Sequence, residues 1–104
     1  MRVRYSPRAL SQIEEIHRAI AHHNPRAARR VVARVRELCE KLGEFPGIGS
    51  QTDRTDIRVL PVVRYPYLIF YTIIMANHEV RILRVRHGRR RPLASSEVEA
   101  DDTP

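Results

Sequence analysis

Two dipeptides, Ser6-Pro7 and Asn24-Pro25, constrain this chain more than any other feature. A serine or asparagine side chain can accept from the free N–H groups of a helix's first turn. Proline in the next position gives up a hydrogen bond it would not have made there. Each pair therefore reads as the start of a helix, and the residues that follow agree. Leu10, Ile13, Ile16 and Ile20, with Ala9 and Ala21 beside them, draw one apolar stripe along about four helical turns. After Asn24-Pro25, Ala28, Val31, Val35, Leu38 and Leu42 recur at intervals of three and four, and Gly43 stands where a left-handed cap would end the helix. The spacing predicts two antiparallel helices joined by a tight turn at residues 22–25.

The rest of the chain changes period. Val3 and Tyr5 alternate with Arg2 and Arg4 in a short strand pattern before the first helix. Residues 44–56 hold Pro46, Gly47, Gly49 and Ser50, show no periodicity, and read as a surface loop. Strands are expected at 57–60, at 65–74, where aromatic and β-branched residues dominate, and at 79–87, with a turn at Ala76-Asn77-His78. The order β-α-α-β-β-β is that of an α+β domain, a helical hairpin packed on a small, mostly antiparallel sheet. A chain of 104 residues has room for one such core. Residues 1–93 form this single domain, and 94–104 are expected to be a disordered acidic tail.

Charge narrows the partners. Lys and Arg total 19 against 12 Asp and Glu, and Lys41 is the only lysine. Four of the acids, Glu97, Glu99, Asp101 and Asp102, lie in the last ten residues, so residues 1–94 carry 19 cations against 8 acids. Arginine's planar fork suits phosphate and carboxylate. An anionic partner follows, nucleic acid or an acidic protein segment, although a merely basic surface has the same composition. The lone Cys39 gives no sign of an oxidising compartment. The N-terminal residues lack the apolar run of a signal peptide, and residues 67–76 reach only half the ~20 residues of a membrane span, so a cytoplasmic protein with no membrane contact is expected.

The segment 65–74 is apolar on both sides. Tyr65, Tyr67, Ile69, Tyr71 and Ile73 share one face, and Pro66, Leu68, Phe70, Thr72 and Ile74 the other. A helical hairpin covers one face of a sheet, so the second needs the long loop, a second copy or a partner, unless the strand is simply buried on both sides. In the last strand, strict alternation sends Val80, Ile82, Arg84 and Arg86 to one side and Arg81, Leu83, Val85 and His87 to the other, with Arg89, Arg90 and Arg91 following Gly88. Arginines so placed suit a cationic concave surface, and they also blunt an edge strand against aggregation.

Specific catalytic signals are few. No zinc spacing, phosphate-binding glycine loop or nucleophile elbow occurs, and no metal or cofactor is expected. Cys39, beside Leu38 on the apolar stripe, reads as core. Arg64, Arg81, Arg84 or Arg86 gathered around a scissile phosphate, with His87 as general acid or base, would suit RNA cleavage. A second proton-transfer group nearby is missing, since Glu79 lies about 26 Å from His87 along an extended strand.

Val3-Arg4-Tyr5-Ser6-Pro7-Arg8-Ala9, Asn24-Pro25-Arg26-Ala27-Ala28 and Leu42-Gly43-Glu44-Phe45-Pro46-Gly47-Ile48-Gly49 occur in order. They are followed by Arg58-Val59-Leu60-Pro61, Tyr67-Leu68-Ile69-Phe70-Tyr71 and Val80-Arg81-Ile82-Leu83-Arg84-Val85-Arg86-His87-Gly88-Arg89-Arg90. Over residues 1–93 this series resembles the ParE branch of the ParE/RelE superfamily of bacterial toxins. The resemblance implies the fold already reached. It also implies a toxin of a plasmid-stabilising type, neutralised by a ParD-like antitoxin whose C-terminal segment wraps the hairpin and the sheet groove. Ile13, Ile20, Val31 and Val35 on the hairpin, with Arg64, Tyr65, Tyr67, Tyr71, Arg81, Arg84, Arg86 and His87 on the sheet, are the partner-binding candidates. Arg89, Arg90 and Arg91 are candidates for the target. For ParE-type toxins the implied target is DNA gyrase, inhibited without a chemical reaction by the toxin. The alternative is a RelE-like, ribosome-dependent mRNA endoribonuclease using Arg64, Arg81, Arg84 and His87.

Overall fold

The computed structural model describes residues 1–88, and there the two proline-punctuated segments are helices, α1 (Pro7–Ala21) and α2 (Pro25–Glu44). Ser6 Oγ accepts from Ala9 N at 3.0 Å, and Asn24 Oδ1 accepts from Ala27 N at 3.1 Å, so both caps act as the sequence predicts. The expected stop at Gly43 is not one. The helix continues through Gly43 to Glu44, and the glycine serves close approach instead. A Cβ there would stand 2.7 Å from the Met1 carbonyl oxygen and 2.9 Å from Val3 Cγ2. Gly43 lets α2 settle directly on the first strand.

Among the described residues the sheet has five strands: β1 (Arg2–Tyr5), β2 (Ser50–Gln51), β3 (Arg58–Pro61), β4 (Tyr67–Ile74) and β5 (Glu79–His87). Their order is β1-β5-β4-β3-β2, antiparallel except that β1 runs parallel to β5. The short β2 interrupts the segment expected to be loop throughout. β3 begins one residue later than the spacing predicts. β4 begins at Tyr67 because residues 62–65 close a turn, with Tyr65 N donating to Val62 O and Val62 N to Tyr67 O. Arg64 takes the left-handed position of that turn (φ 78°). The β4–β5 connection is a short 3-10 turn, Met75–Asn77, in which His78 rather than Asn77 takes positive φ. β5 has the predicted limits.

Both helices pack on one face of this sheet, around Ala9, Ile13, Val35, Leu38, Cys39 and Leu42 from the helices and Ile69, Tyr71, Val80, Ile82 and Val85 from the strands. Each such aliphatic side chain contributes about 1.5–3 kcal/mol by leaving water.

The register of β5 is interrupted once. Phe70 pairs with Arg84, but the next residue, Tyr71, pairs with Ile82, so Leu83 is an extra residue in β5. A bulge of this kind breaks the alternation of side chains. Val80 and Ile82 before it and Val85 after it all reach the helix-side core, where strict alternation would have sent Val85 away from the other two. Leu83 turns to the opposite face and packs with Ile57 and Phe70.

The start of α1 holds the bulge. Ser6 Oγ donates to Leu83 O at 2.8 Å while it caps its own helix, Ser6 N donates to Ile82 O at 2.9 Å, and Val85 N donates to Gln12 Oε1 at 2.8 Å. Arg84 Nη1 also donates to Leu83 O, at 2.7 Å. Ser6 is buried and Asn24 is exposed, so the two caps differ in consequence. Asn24→Ala should cost about 1 kcal/mol, the usual worth of a cap. Ser6→Ala should cost roughly 2 kcal/mol, because it also removes one of the two donors to the buried Leu83 carbonyl. Urea unfolding of the two variants checks this: equal losses would mean that Ser6 acts only as a cap.

Candidate partner-binding surface

The bulge sorts charge from apolar surface. Paired residues share a face, so the register places Leu68 with Arg86, Phe70 with Arg84, Thr72 with Arg81 and Ile74 with Glu79 on the side away from the helices. On β1, Val3 and Tyr5 pack on the core, which leaves Arg2 and Arg4 on that same open side. The open face is therefore a ladder of arginines along β1 and β5 beside an apolar strip along β4. Arg2 and Arg4 are exposed. Arg81 forms a 3.0 Å ion pair with Glu79, which is itself buried. Arg84 is 2% exposed.

A loop crosses the other end of this face. Thr72 Oγ1 donates to Asp56 O at 2.6 Å, and Ile57 lies against Phe70 and Leu83. The Asp56 carboxylate accepts from Arg54 Nε at 3.0 Å and Nη2 at 2.6 Å. That hydrogen bonding holds its pKa below the usual carboxylate value, so the loop's acid is already engaged.

His87 is on the opposite side. It pairs with Tyr67, their rings meeting edge to face at 5.8 Å, and with Tyr67, Val85 and Arg86 it lines a cleft of about 240 Å³ closed by Gln12, Glu15, Ile16 and Ala19 of α1. The residues singled out for phosphate chemistry are thus brought together only in part. Arg81 and Arg84 lie on the open face, His87 faces α1 in a cleft that Arg86 also borders, and Arg64 sits exposed in the β3–β4 turn rather than on the sheet.

Several partner-binding expectations also change. Tyr67 and Tyr71 point to the helix side, and Tyr65 packs there too, so the tyrosines are not the surface in need of cover. Tyr71 is fully buried and straps the loop after α2. Its hydroxyl donates to Pro46 O at 2.7 Å and accepts from Gly49 N at 2.9 Å, and Arg58 Nη1 donates to Gly49 O at 2.6 Å. Ile13, Val31 and Val35 are buried and face the core; Ile20 is half-buried. The hairpin also carries a groove lined by Leu10, Glu14, His17, Val32 and Arg36, with the buried Ile13 at its floor. Arg89, Arg90, Arg91 and the 94–104 tail lie outside the described residues. Sequence reasoning passed over Leu68, Phe70 and Ile74 as the open face, and Arg2 and Arg4 as its cations. The alternation of Arg2 and Arg4 with Val3 and Tyr5 was the signal for the second pair.

No three His, Cys, Asp or Glu side chains gather to hold a metal among the described residues. Cys39 is buried against Tyr5, and burial pushes its thiol up to about 12 from an ordinary 9.0; the Tyr5 hydroxyl is also shifted upward, chiefly by burial. Arg36 lies over the Tyr5 ring, 5.6 Å from its centre. A thiol held neutral in this way is packing, not a nucleophile.

The comparisons with known proteins bear on this arrangement. The family model described as the ParE toxin of type II toxin–antitoxin systems, parDE, matches residues 3–92. The chain belongs to the ParE toxin family. It is 36% identical over 89 residues to a putative toxin, Y4kP, of Sinorhizobium fredii, covering 86% of this chain and 90% of the relative. It is likewise 36% identical over 83 residues to toxin RelE2 of Caulobacter vibrioides, covering 80% and 90%. In fold the toxin matches the chromosomal ParDE toxin–antitoxin system of P. aeruginosa, with a TM-score of 0.73 at 20% identity over 84% of this chain and 95% of the other. It also matches the isolated E. coli RelE toxin, with a TM-score of 0.65 at 16% identity over 95% and 93%. The α+β, RelE/ParE-like architecture expected from the sequence is the one observed.

Cys39 gives the toxin a defined alkaline weakness. Both Cys39 and Tyr5 stay neutral in the folded chain, whereas the unfolded chain ionises them near their ordinary values. The stability this neutrality provides is fully present below about pH 9 and is lost as pH rises toward 12. The urea midpoint should fall between pH 8 and 11, and fall less steeply in Cys39→Ala. Identical slopes would assign the loss to other groups.

Proposed function

We propose that this toxin inhibits DNA gyrase by binding it, with no reaction of its own, and that a ParD-like antitoxin neutralises it by laying an acidic, partly apolar segment along the open sheet face. The observation that carries the non-enzymatic reading is the placement of His87. A general acid or base must come within about 2.6–3.2 Å of the atom it serves, directly or through one water. A phosphate held by Arg81 or Arg84 would be on one side of the sheet and the imidazole of His87 on the other. Cys39 offers no alternative nucleophile.

The open face supports the antitoxin reading. Leu68, Phe70 and Ile74 are half-buried in the toxin alone, and the arginines of β1 and β5 run beside them. A segment alternating carboxylates with apolar side chains satisfies both strips at once. The match to a toxin model of type II systems, and the fold shared with the P. aeruginosa ParDE system, point to a partner of this kind.

The Caulobacter relative carries the RelE name, so ribosome-dependent mRNA cleavage is the reading against which the test is set. Purified toxin added to gyrase and relaxed plasmid should block supercoiling, and His87→Ala should block it equally well. An unimpaired gyrase, together with mRNA cuts on ribosomes that disappear in His87→Ala, would replace inhibition with catalysis.

A further inference from the structure

We infer that the outward side of the first two turns of α2, carrying Arg26, Arg29 and Arg30, is a docking site for the phosphate backbone of duplex nucleic acid. The observations are a run of cations without acids at the tip of the helical hairpin, the exposure of those cations, and the lack of apolar or aromatic anchors among them.

Between Glu15 and Glu37 lie twenty-one residues that include six arginines and three histidines and no acid. Two of these arginines are occupied: Arg34 pairs with Glu37 at 2.7 Å, and Arg36 lies over the Tyr5 ring. Arg18 has Glu14 and Glu15 one turn before it on α1. Arg26, Arg29 and Arg30 have neither kind of neighbour. They are exposed, and they take part in no ion pair or side-chain hydrogen bond among the described residues. Residues three and four apart are neighbours on a helix, so these arginines form one patch, while Ala28 and Val31 turn inward and are buried. The exposed His22 and His23 continue the patch across the turn into α1, their ring centres 5.0 Å apart.

The patch works against the helix that carries it. α2 has no acid in its first turn, and a cation there meets the positive end of the helix dipole. Arg26 also repels Arg29 and Arg30. A bound polyanion reverses both effects. What is absent then selects the anion. A protein interface centres on large apolar side chains, and the exposed ones among the described residues, Leu10, Phe45, Ile48, Val63 and Met75, all fall outside residues 17–30. Unpaired bases stack on aromatic rings, and no Phe, Tyr or Trp stands between Tyr5 and Phe45. Duplex phosphates need cations alone, and a guanidinium meets them with paired donors. Three such contacts give weak, sequence-independent affinity, so the patch supplements a protein partner and does not replace one. α2 packs on the covered side of the sheet, which leaves the open face accessible while a duplex is held.

The experiment uses the full chain with a fluorescent DNA duplex of roughly 20 base pairs, and with an RNA duplex of the same sequence in a second arm. Anisotropy titrations between about 50 and 200 mM salt should show affinity falling with salt, and Arg26→Gln/Arg30→Gln should reduce the log–log slope by about 2. Lys41→Gln/Arg64→Gln removes the same charge from exposed positions elsewhere and should leave the slope nearly unchanged. The α2 variant should unfold at an equal or higher urea concentration, because it relieves the repulsion at the helix start, so that lost binding is not lost folding. A duplex that fails to bind at about 50 mM salt, or equal loss of slope in the two variants, would overturn the inference. So would poly-glutamate binding as tightly as the duplex through the same two arginines, which assigns the patch to an acidic protein. Preference for either duplex supports the site and identifies which nucleic acid it serves. Neither arm contains gyrase, so the patch and the proposed target stand or fall separately.

Discussion

One extra residue in β5 decides what this molecule presents on each side. With Leu83 inserted opposite no partner, Val80, Ile82 and Val85 all reach the helix-side core, and Arg81, Arg84 and Arg86 share the far side with Leu83. A regular strand would bury either Arg84 or Val85 on the wrong side, and a charged side chain forced under the helices costs several kcal/mol. The bulge removes the conflict at the expense of one ladder position. Its exposed backbone groups are answered by Ser6 and Gln12, two polar side chains at the start of α1. The first helix is thus fixed to the last strand through the same residues that correct that strand's phase, over a sequence separation of more than seventy residues.

The two faces that result have different tasks. The helix side is closed by aliphatic packing and by the Tyr71 and Arg58 strap on the loop after α2. It also takes in His87, whose ring faces Tyr67 and α1. The open side keeps the charge. Arg81 and Arg84 stand across the sheet from the His87 imidazole, while Arg86 borders its cleft. Leu68, Phe70 and Ile74 are half-buried beside the arginines of β5, and Arg2 and Arg4 are exposed on β1 at the edge of the same face, a surface that an acidic, partly apolar segment of another chain matches in sign.

Much of the fold was legible in the sequence. Both helices, their caps and their buried stripes follow from Ser6-Pro7, Asn24-Pro25 and the three-and-four spacing, since local hydrogen bonding and amphipathicity act over a few residues. The limits of β5 were also legible. The site was less so. Tyr67 and Tyr71 share one face of β4, as the alternation predicts, and Tyr65 packs on the same side from the preceding turn, but nothing local says which face the helices cover. Ile13, Val31 and Val35 belong to the buried stripe, and of the three Ile13 borders the groove on the hairpin. Arg64 lies in a left-handed turn position that usually takes glycine, and no rule of strand alternation finds it there.

By itself the sequence determined the helical hairpin, the strands that follow, the excess of arginine and an uncovered apolar face, because each rests on composition or on contacts close in sequence. Tertiary structure alone decided that Gly43 is a contact rather than a stop, that Leu83 is bulged, and that His87 parts company with Arg81 and Arg84. Those outcomes depend on backbone pairings between Met1 and Gly43, between Ser6 and Leu83 and between β4 and β5. One residue of slip in such a pairing reverses every side chain beyond it, and a residue's neighbours along the chain carry no record of that slip.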